Sequence, residues 1–206
     1  GTLSSIQDYP GRTGYWDIGV PPSGPMDDYA FQLANRIVGN DAKAAGFEFT
    51  LVGPTLKFHA NTTIALTGAS CKVLLDETEI DFWQPITVKA GQTLKIGQVE
   101  SGCRTYLAVR DGLDVPLYLG SRSTFALGNF GGHAGRTLRV GDMIKLVDPA
   151  FASVELPVAI DTPQALSTDL IPEYGNEWKI GVLYGPHGAP DFFKPEYIEE
   201  FFAYEW

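Results

Sequence analysis

Between Asp27 and Asn40 the apolar residues Ala30, Leu33, Ala34, Ile37 and Val38 recur at spacings of three and four, which predicts one buried face of an amphipathic helix over 27–39. The preceding Val20-Pro21-Pro22-Ser23-Gly24-Pro25 cannot continue a helix, and Gly39 and Asn40, both tolerant of positive φ, end it. A helix start carries unpaired backbone N–H groups and a positive dipole end. The Ser23–Asp27 loop is therefore expected to present a small hydroxyl and free donors to an anionic or carbonyl group, or else Asp27 simply caps the helix.

Elsewhere the pattern is that of short strands. Ser4–Ile6, Tyr15–Ile18 and the alternating Phe47-Glu48-Phe49-Thr50-Leu51 read as strands, the last half-buried. Leu56–Phe58, Thr63–Leu66, Val73–Leu75, Ile80–Phe82, Ile86–Val88 and Thr93–Ile96 follow, with Asp76–Glu79 as a hairpin tip. Cys103–Arg110 is the strongest strand, with Cys103, Thr105, Leu107 and Val109 on one face and Tyr106 and Ala108 on the other. Thr137–Val140 and Met143–Val147 complete the series. The fold class is mainly β with a few helices, and evenly spaced short strands favour a closed or nearly closed β-barrel over 1–150. Residues 151–178, with Pro157, Pro163 and Pro172, read as a linker crossing to a new unit. That unit, 179–206, opens with a strand, Lys179–Leu183. A helix follows, with Pro195 in its first turn and Ile198, Phe201 and Phe202 on its apolar face.

With 44% apolar residues, 23 Gly and 14 Pro, the 206-residue chain is turn-rich and long enough to bury a real core. A net charge of −10 with only 15 Lys and Arg argues against a nucleic-acid surface. No apolar run reaches membrane-spanning length and no leader pattern precedes Ile6, so a soluble cytoplasmic protein is expected. Cys71 and Cys103 lack CxxC spacing and His59, His133 and His187 lie far apart, so no metal site or disulfide framework is expected. The start at Gly1 and the end inside a predicted helix suggest a piece of something longer.

Three loops place glycine beside polar side chains: Ser23–Asp27, the Gly120–Arg136 run and Tyr184–Asp191. Ser23 is a nucleophile or a hydrogen-bonding turn residue; it lacks a GxSxG elbow and a nearby histidine. His187 is an acid or base near neutral pH, or a surface residue. Asp191 binds a substrate N–H or caps the following helix. So many glycines in 120–136 imply a flexible loop, or a backbone that approaches a ligand or another chain. Arg122 and Arg136 either bind a carboxylate or form ordinary ion pairs. Met26 and Trp16 read as core.

Ile6–Arg12 with Gly19–Asp27, then Leu33–Arg36, Thr67–Ala69, Tyr106–Val109, Gly120–Thr124 and Gly135-Arg136 resemble, in that order, the allophanate hydrolase subunit 2 family. Tyr184–Phe193 looks most like the carboxyltransferase region of the biotin-dependent urea carboxylases and urea amidolyases within it. The resemblance implies a cyclophilin-like β-barrel followed by the start of a second, truncated one. It implies transfer of a carboxyl group from carboxybiotin to urea, forming allophanate. Biotin rides on a separate carrier domain, and ATP and bicarbonate are used by a separate biotin carboxylase domain. The transfer site is shared with a partner half resembling allophanate hydrolase subunit 1. Carried over on matching positions, Ser23, Gly24, Met26, Tyr184 and Gly188 are expected to contact urea or biotin, and Asp191 and His187 to be catalytic. The segment alone is expected to be inactive. A 5-oxoprolinase-type subunit of the same family is the nearest alternative. A non-catalytic binding or regulatory module is another, because family members also associate with a kinase-inhibitory partner.

Overall fold

The structure is a computed structural model that describes residues 3–150, 159–175, 177–183, 185–187 and 192–204. It divides into two compact units, Gly1–Gly175 and Asn176–Trp206.

In the first unit a five-stranded antiparallel sheet comprises β1 (Leu3–Gln7), β2 (Gly46–Thr50), β4 (Thr62–Gly68), β7 (Ile86–Val88) and β9 (Arg104–Val109), in the order β1-β2-β9-β4-β7. A second sheet, ordered β3-β8-β5-β6, holds β3 (Thr55–Lys57), β5 (Cys71–Leu75), β6 (Thr78–Glu79) and β8 (Thr93–Val99). Between them lies the main core, with Ile6, Phe47, Phe49, Ile64, Leu66, Leu107 and Val109 from one sheet meeting Val73, Leu75, Leu94 and Ile96 from the other. Helix α1 (Asp28–Ile37) covers the outer face of the five-stranded sheet. There Ala30, Phe31, Ala34, Ile37 and Val38 bury against Ala65, Tyr106 and Ala108.

This third layer decides how the central strands read. β9 sends Leu107 and Val109 into the main core and Tyr106 and Ala108 under α1, the two-faced pattern its sequence predicts. β2 departs from expectation. Its alternation predicts one wet face, but Glu48 lies opposite Tyr106 in the ladder and is buried beneath the chain entering α1.

Other local expectations are corrected. Tyr15–Ile18 is no strand: Trp16–Ile18 is a single 3-10 turn closed by left-handed Gly19, whose N–H donates to Trp16 O. Ile80–Phe82 forms no ladder, and β6 begins at Thr78, so the hairpin tip contracts to the Asp76 turn. Thr137–Val140 and Met143–Val147 run extended but pair only at single points, Leu138 N–H to Ser4 O and the Leu113–Leu146 bridge. Among the described residues the two sheets therefore do not join into a closed ladder.

Residues 159–174 return along α1, with the Ile160 and Asp161 N–H groups donating to Gly39 O and Gln164 N–H to Ile37 O. In the second unit, α2 (Pro195–Ala203) begins with proline in its first turn as predicted. Lys179–Leu183 is not a strand there, having no neighbouring strand among the described residues to satisfy its backbone. Among the described residues no helix is long and apolar enough to cross a membrane.

Candidate functional site

The Ser23–Met26 loop is held by one buried cation and one buried carboxylate. Arg12 and Ser23 form an antiparallel bridge, with Arg12 N–H donating to Ser23 O at 2.6 Å and Ser23 N–H to Arg12 O at 3.2 Å. Arg12 Nη1 also donates to Ser23 Oγ at 2.8 Å. At the other end Met26 N–H donates to Glu48 Oε2 at 2.8 Å, and Asp27 N–H to the Tyr106 hydroxyl at 2.8 Å. The Tyr106 O–H in turn donates to Glu48 Oε2 at 2.9 Å. Asp27 caps α1 by accepting from Ala30 N–H at 3.0 Å. Of the donors at this helix start, the Met26, Asp27 and Ala30 N–H groups are thus engaged by Glu48, Tyr106 and the cap.

What the loop offers outward is different. Ser23 and Gly24 are half-buried, and the Met26 side chain is 69% exposed. Trp16, at 73%, is exposed as well. Both were expected in the core. Once the turn at Trp16–Ile18 and the Glu48 contact satisfy the backbone internally, these side chains are left pointing away from it.

Glu48 is nearly enclosed, with Arg104 Nε 3.7 Å from its second oxygen. Burial first, and then the Glu48 charge, pushes the Tyr106 hydroxyl far above its ordinary pKa. Tyr174 donates to Asp27 Oδ2 at 3.1 Å and is shifted the same way, by burial and then by Asp27. Both phenols therefore stay protonated donors at neutral pH, and the two carboxylates are their acceptors. The sequence carries a faint sign of this: Glu48 is the one charged position between two core phenylalanines of a central strand.

The glycine-rich segment closes on the protein itself. Arg12, 1% exposed, donates to the carbonyls of Tyr118, Ser121 and Ser123, and its guanidinium lies 4.9 Å from the centre of the Phe130 ring. Asp8 accepts from Ser121 Oγ at 2.5 Å, Ser123 Oγ at 2.7 Å and Arg122 N–H at 2.7 Å. Gly131, at φ +72°, shows why glycine is needed: a Cβ there would fall 2.0 Å from Ser123 O and 2.8 Å from Arg12 Nη2.

Arg136 is an ion pair, meeting Asp142 through two hydrogen bonds of 2.7 and 2.8 Å, with His133 Nε2 3.7 Å away. The Arg136 bonds, followed by the Arg139 N–H, hold Asp142 far below the usual carboxylate range. A folded-state pKa below the unfolded value means the pair stabilises above about pH 4 and that its contribution fades as the pH falls further. Asp142→Asn is expected to lower the thermal midpoint at neutral pH. In melts of both proteins at decreasing pH, the gap should close in acid.

In the second unit His187 is exposed, its ring edge-on to Phe192 with centroids 5.1 Å apart. Tyr184, Gly188 and Asp191 lie outside the described residues. Among the described residues no three His, Cys, Asp or Glu side chains gather as a metal site.

Residues 18–206 match the family model described as "Carboxyltransferase domain, subdomain A and B". The chain belongs to this carboxyltransferase domain family. It is 56% identical to urea amidolyase of Saccharomyces cerevisiae over 209 residues, covering 100% of this chain and 11% of that protein. A crystal structure of Kluyveromyces lactis urea amidolyase superposes with a TM-score of 0.95 at 53% identity, over 100% of this chain and 12% of that one. A 5-oxoprolinase component from Escherichia coli is more distant, 39% identical over 146 residues, or 71% of this chain and 47% of that protein. The chain thus spans about a tenth of the length of the urea amidolyases it matches. The mainly β architecture, with two α-helices and antiparallel sheets among the described residues, is shared with that Kluyveromyces lactis structure.

Proposed function

We propose that this segment works within a longer biotin-dependent urea carboxylase, in the component that moves a carboxyl group from carboxybiotin to urea to form allophanate. The observation that carries this reading is identity above one half along the whole chain to urea amidolyases, while the likeness to the Escherichia coli 5-oxoprolinase component stops at 71% of it. In this reading 1–150 is a cyclophilin-like barrel built on the two facing sheets, 151–178 a crossing segment, and 179–206 the opening of a second barrel. The remaining machinery is a partner half resembling allophanate hydrolase subunit 1, a biotin carrier and a biotin carboxylase that uses ATP and bicarbonate, all in the cytoplasm.

The loop residues Ser23, Gly24 and Met26 fit such a ligand. Ser23 brings a hydroxyl, Gly24 a backbone without a side chain and Met26 an exposed thioether, a mixed polar and apolar set suited to a ureido ring or to urea. Carboxybiotin, when bound, supplies the carboxyl group. The chain's own residues then hold the acceptor, exclude water and take a proton from the urea nitrogen, roles we assign to Tyr184, Gly188, His187 and Asp191. Asp191→Asn in the full polypeptide is expected to lower urea-dependent turnover by about a hundredfold or more, on the order of the loss of one general base. ATP hydrolysis by the full polypeptide should be stimulated by urea and not by 5-oxoproline. Stimulation by 5-oxoproline alone would move the segment to the oxoprolinase branch, and stimulation by neither would leave a binding module.

A further inference from the structure

Resting on the reading just given, we infer that Arg12 is a positioning residue that fixes Ser23 as a hydrogen-bond donor to a carbonyl or carboxylate oxygen of the substrate. A guanidinium is costly to bury, and here burial, only partly offset by Asp8, pulls the Arg12 pKa down. The group is nonetheless almost fully enclosed, and its bonds have a definite arrangement. Nε and Nη2 are used on the backbone carbonyls of the 118–123 segment, and Nη1 is used on one side chain, the Ser23 hydroxyl. Asp8 holds the Ser121 and Ser123 side chains and the Arg122 N–H, so the carbonyls that grip Arg12 are themselves fixed.

The consequence falls on the Ser23 proton. A hydroxyl has one hydrogen to give, and an oxygen that accepts from a cation becomes a stronger donor. Among the described residues Ser23 Oγ accepts from Arg12 and donates to no protein group, while Ser23 lies half-buried beside the exposed Met26. A bond from a cation makes the Ser23 oxygen a weaker base and nucleophile. The hydroxyl is a donor aimed at an external oxygen, which is what a carboxyl group in transit presents. Lysine could not substitute, because a single ammonium does not reach four separated oxygens in a planar fork.

A double-mutant cycle in the full polypeptide, read as kcat/KM for urea, tests this. Ser23→Ala should lose on the order of a hundredfold or more, as expected for one donor to developing charge. Ser23→Thr, which keeps a hydroxyl, should recover most of the rate. Arg12→Lys should lose about as much as Ser23→Ala, and the double variant should lose no more than either single one, because both remove the same directed bond. If Arg12→Lys does not fold, Phe130→Leu takes its place. It removes the ring beside the guanidinium and should cost about two- to fivefold, again without adding to Ser23→Ala. Losses that multiply, or a Ser23→Thr variant as slow as Ser23→Ala, overturn the inference and leave the loop in the site. Parental activity in Ser23→Ala overturns the placement of Ser23 in the site and the inference with it.

Discussion

Replacing Gly11 with alanine is expected to destabilise the chain by at least about 3 kcal/mol, the combined scale of a strained left-handed residue and an overpacked contact. Gly11 sits at φ +81°, and a Cβ there would come 1.7 Å from Ser23 O, 2.6 Å from Ser23 C and 2.7 Å from Gly24 Cα. All three are backbone atoms, so no rotamer change relieves the clash; the Ser23–Met26 loop has to lift. Since Ser23 O accepts the Arg12 N–H at 2.6 Å, the bridge breaks with it. Differential scanning calorimetry should show the lowered midpoint. Gly24→Ala is the matched control, because its Cβ would meet Gly11 Cα and Pro10 O at 3.2 Å, a contact that a few tenths of an ångström relieve.

Glu48→Ala is expected to cost about 3 kcal/mol, because it leaves two donors, Met26 N–H and the Tyr106 O–H, without their acceptor in a buried site. It also leaves the Arg104 guanidinium without its carboxylate neighbour. Glu48→Gln keeps an acceptor of the same shape and should cost about 1 kcal/mol, the difference between a charged and a neutral hydrogen-bond acceptor. Guanidinium chloride denaturation measures both, and avoids urea as denaturant because urea is the proposed substrate. Similar losses in the two variants would mean that Glu48 contributes packing and not hydrogen bonding.

Much of the frame is legible from residue order. The spacing of Ala30, Leu33, Ala34, Ile37 and Val38 defines α1, and Asp27 caps it as its residue type predicts. The alternation of Arg104–Val109 gives both faces of β9, because each face meets its own apolar partner. What local pattern cannot show is which polar residue a distant element will cover. Glu48 reads as a wet position until the chain entering α1 is laid over it, and no local pattern around Arg12 shows that residues 118–130 close around its guanidinium. The same blindness runs the other way. Trp16 and Met26 read as core by residue type, yet their loop is fastened through its backbone and leaves them outside. Residues 143–147 alternate like a strand but meet their neighbour at single bridges, so they form no ladder. The glycines of 128–135 read as a flexible loop or an approach to a ligand or another chain, whereas the atoms they approach belong to this chain, Ser123 O and Arg12 Nη2 at Gly131, Thr124 at Gly132 and Asn129 O at Gly135.

The most direct test is a crystal structure of the full polypeptide with urea bound. With the Ser23–Met26 loop lining the transfer site, urea should lie within hydrogen-bond or contact range of that loop, about 4 Å or less, with an oxygen facing the Ser23 hydroxyl. Urea bound in a pocket that this loop does not line would contradict the account.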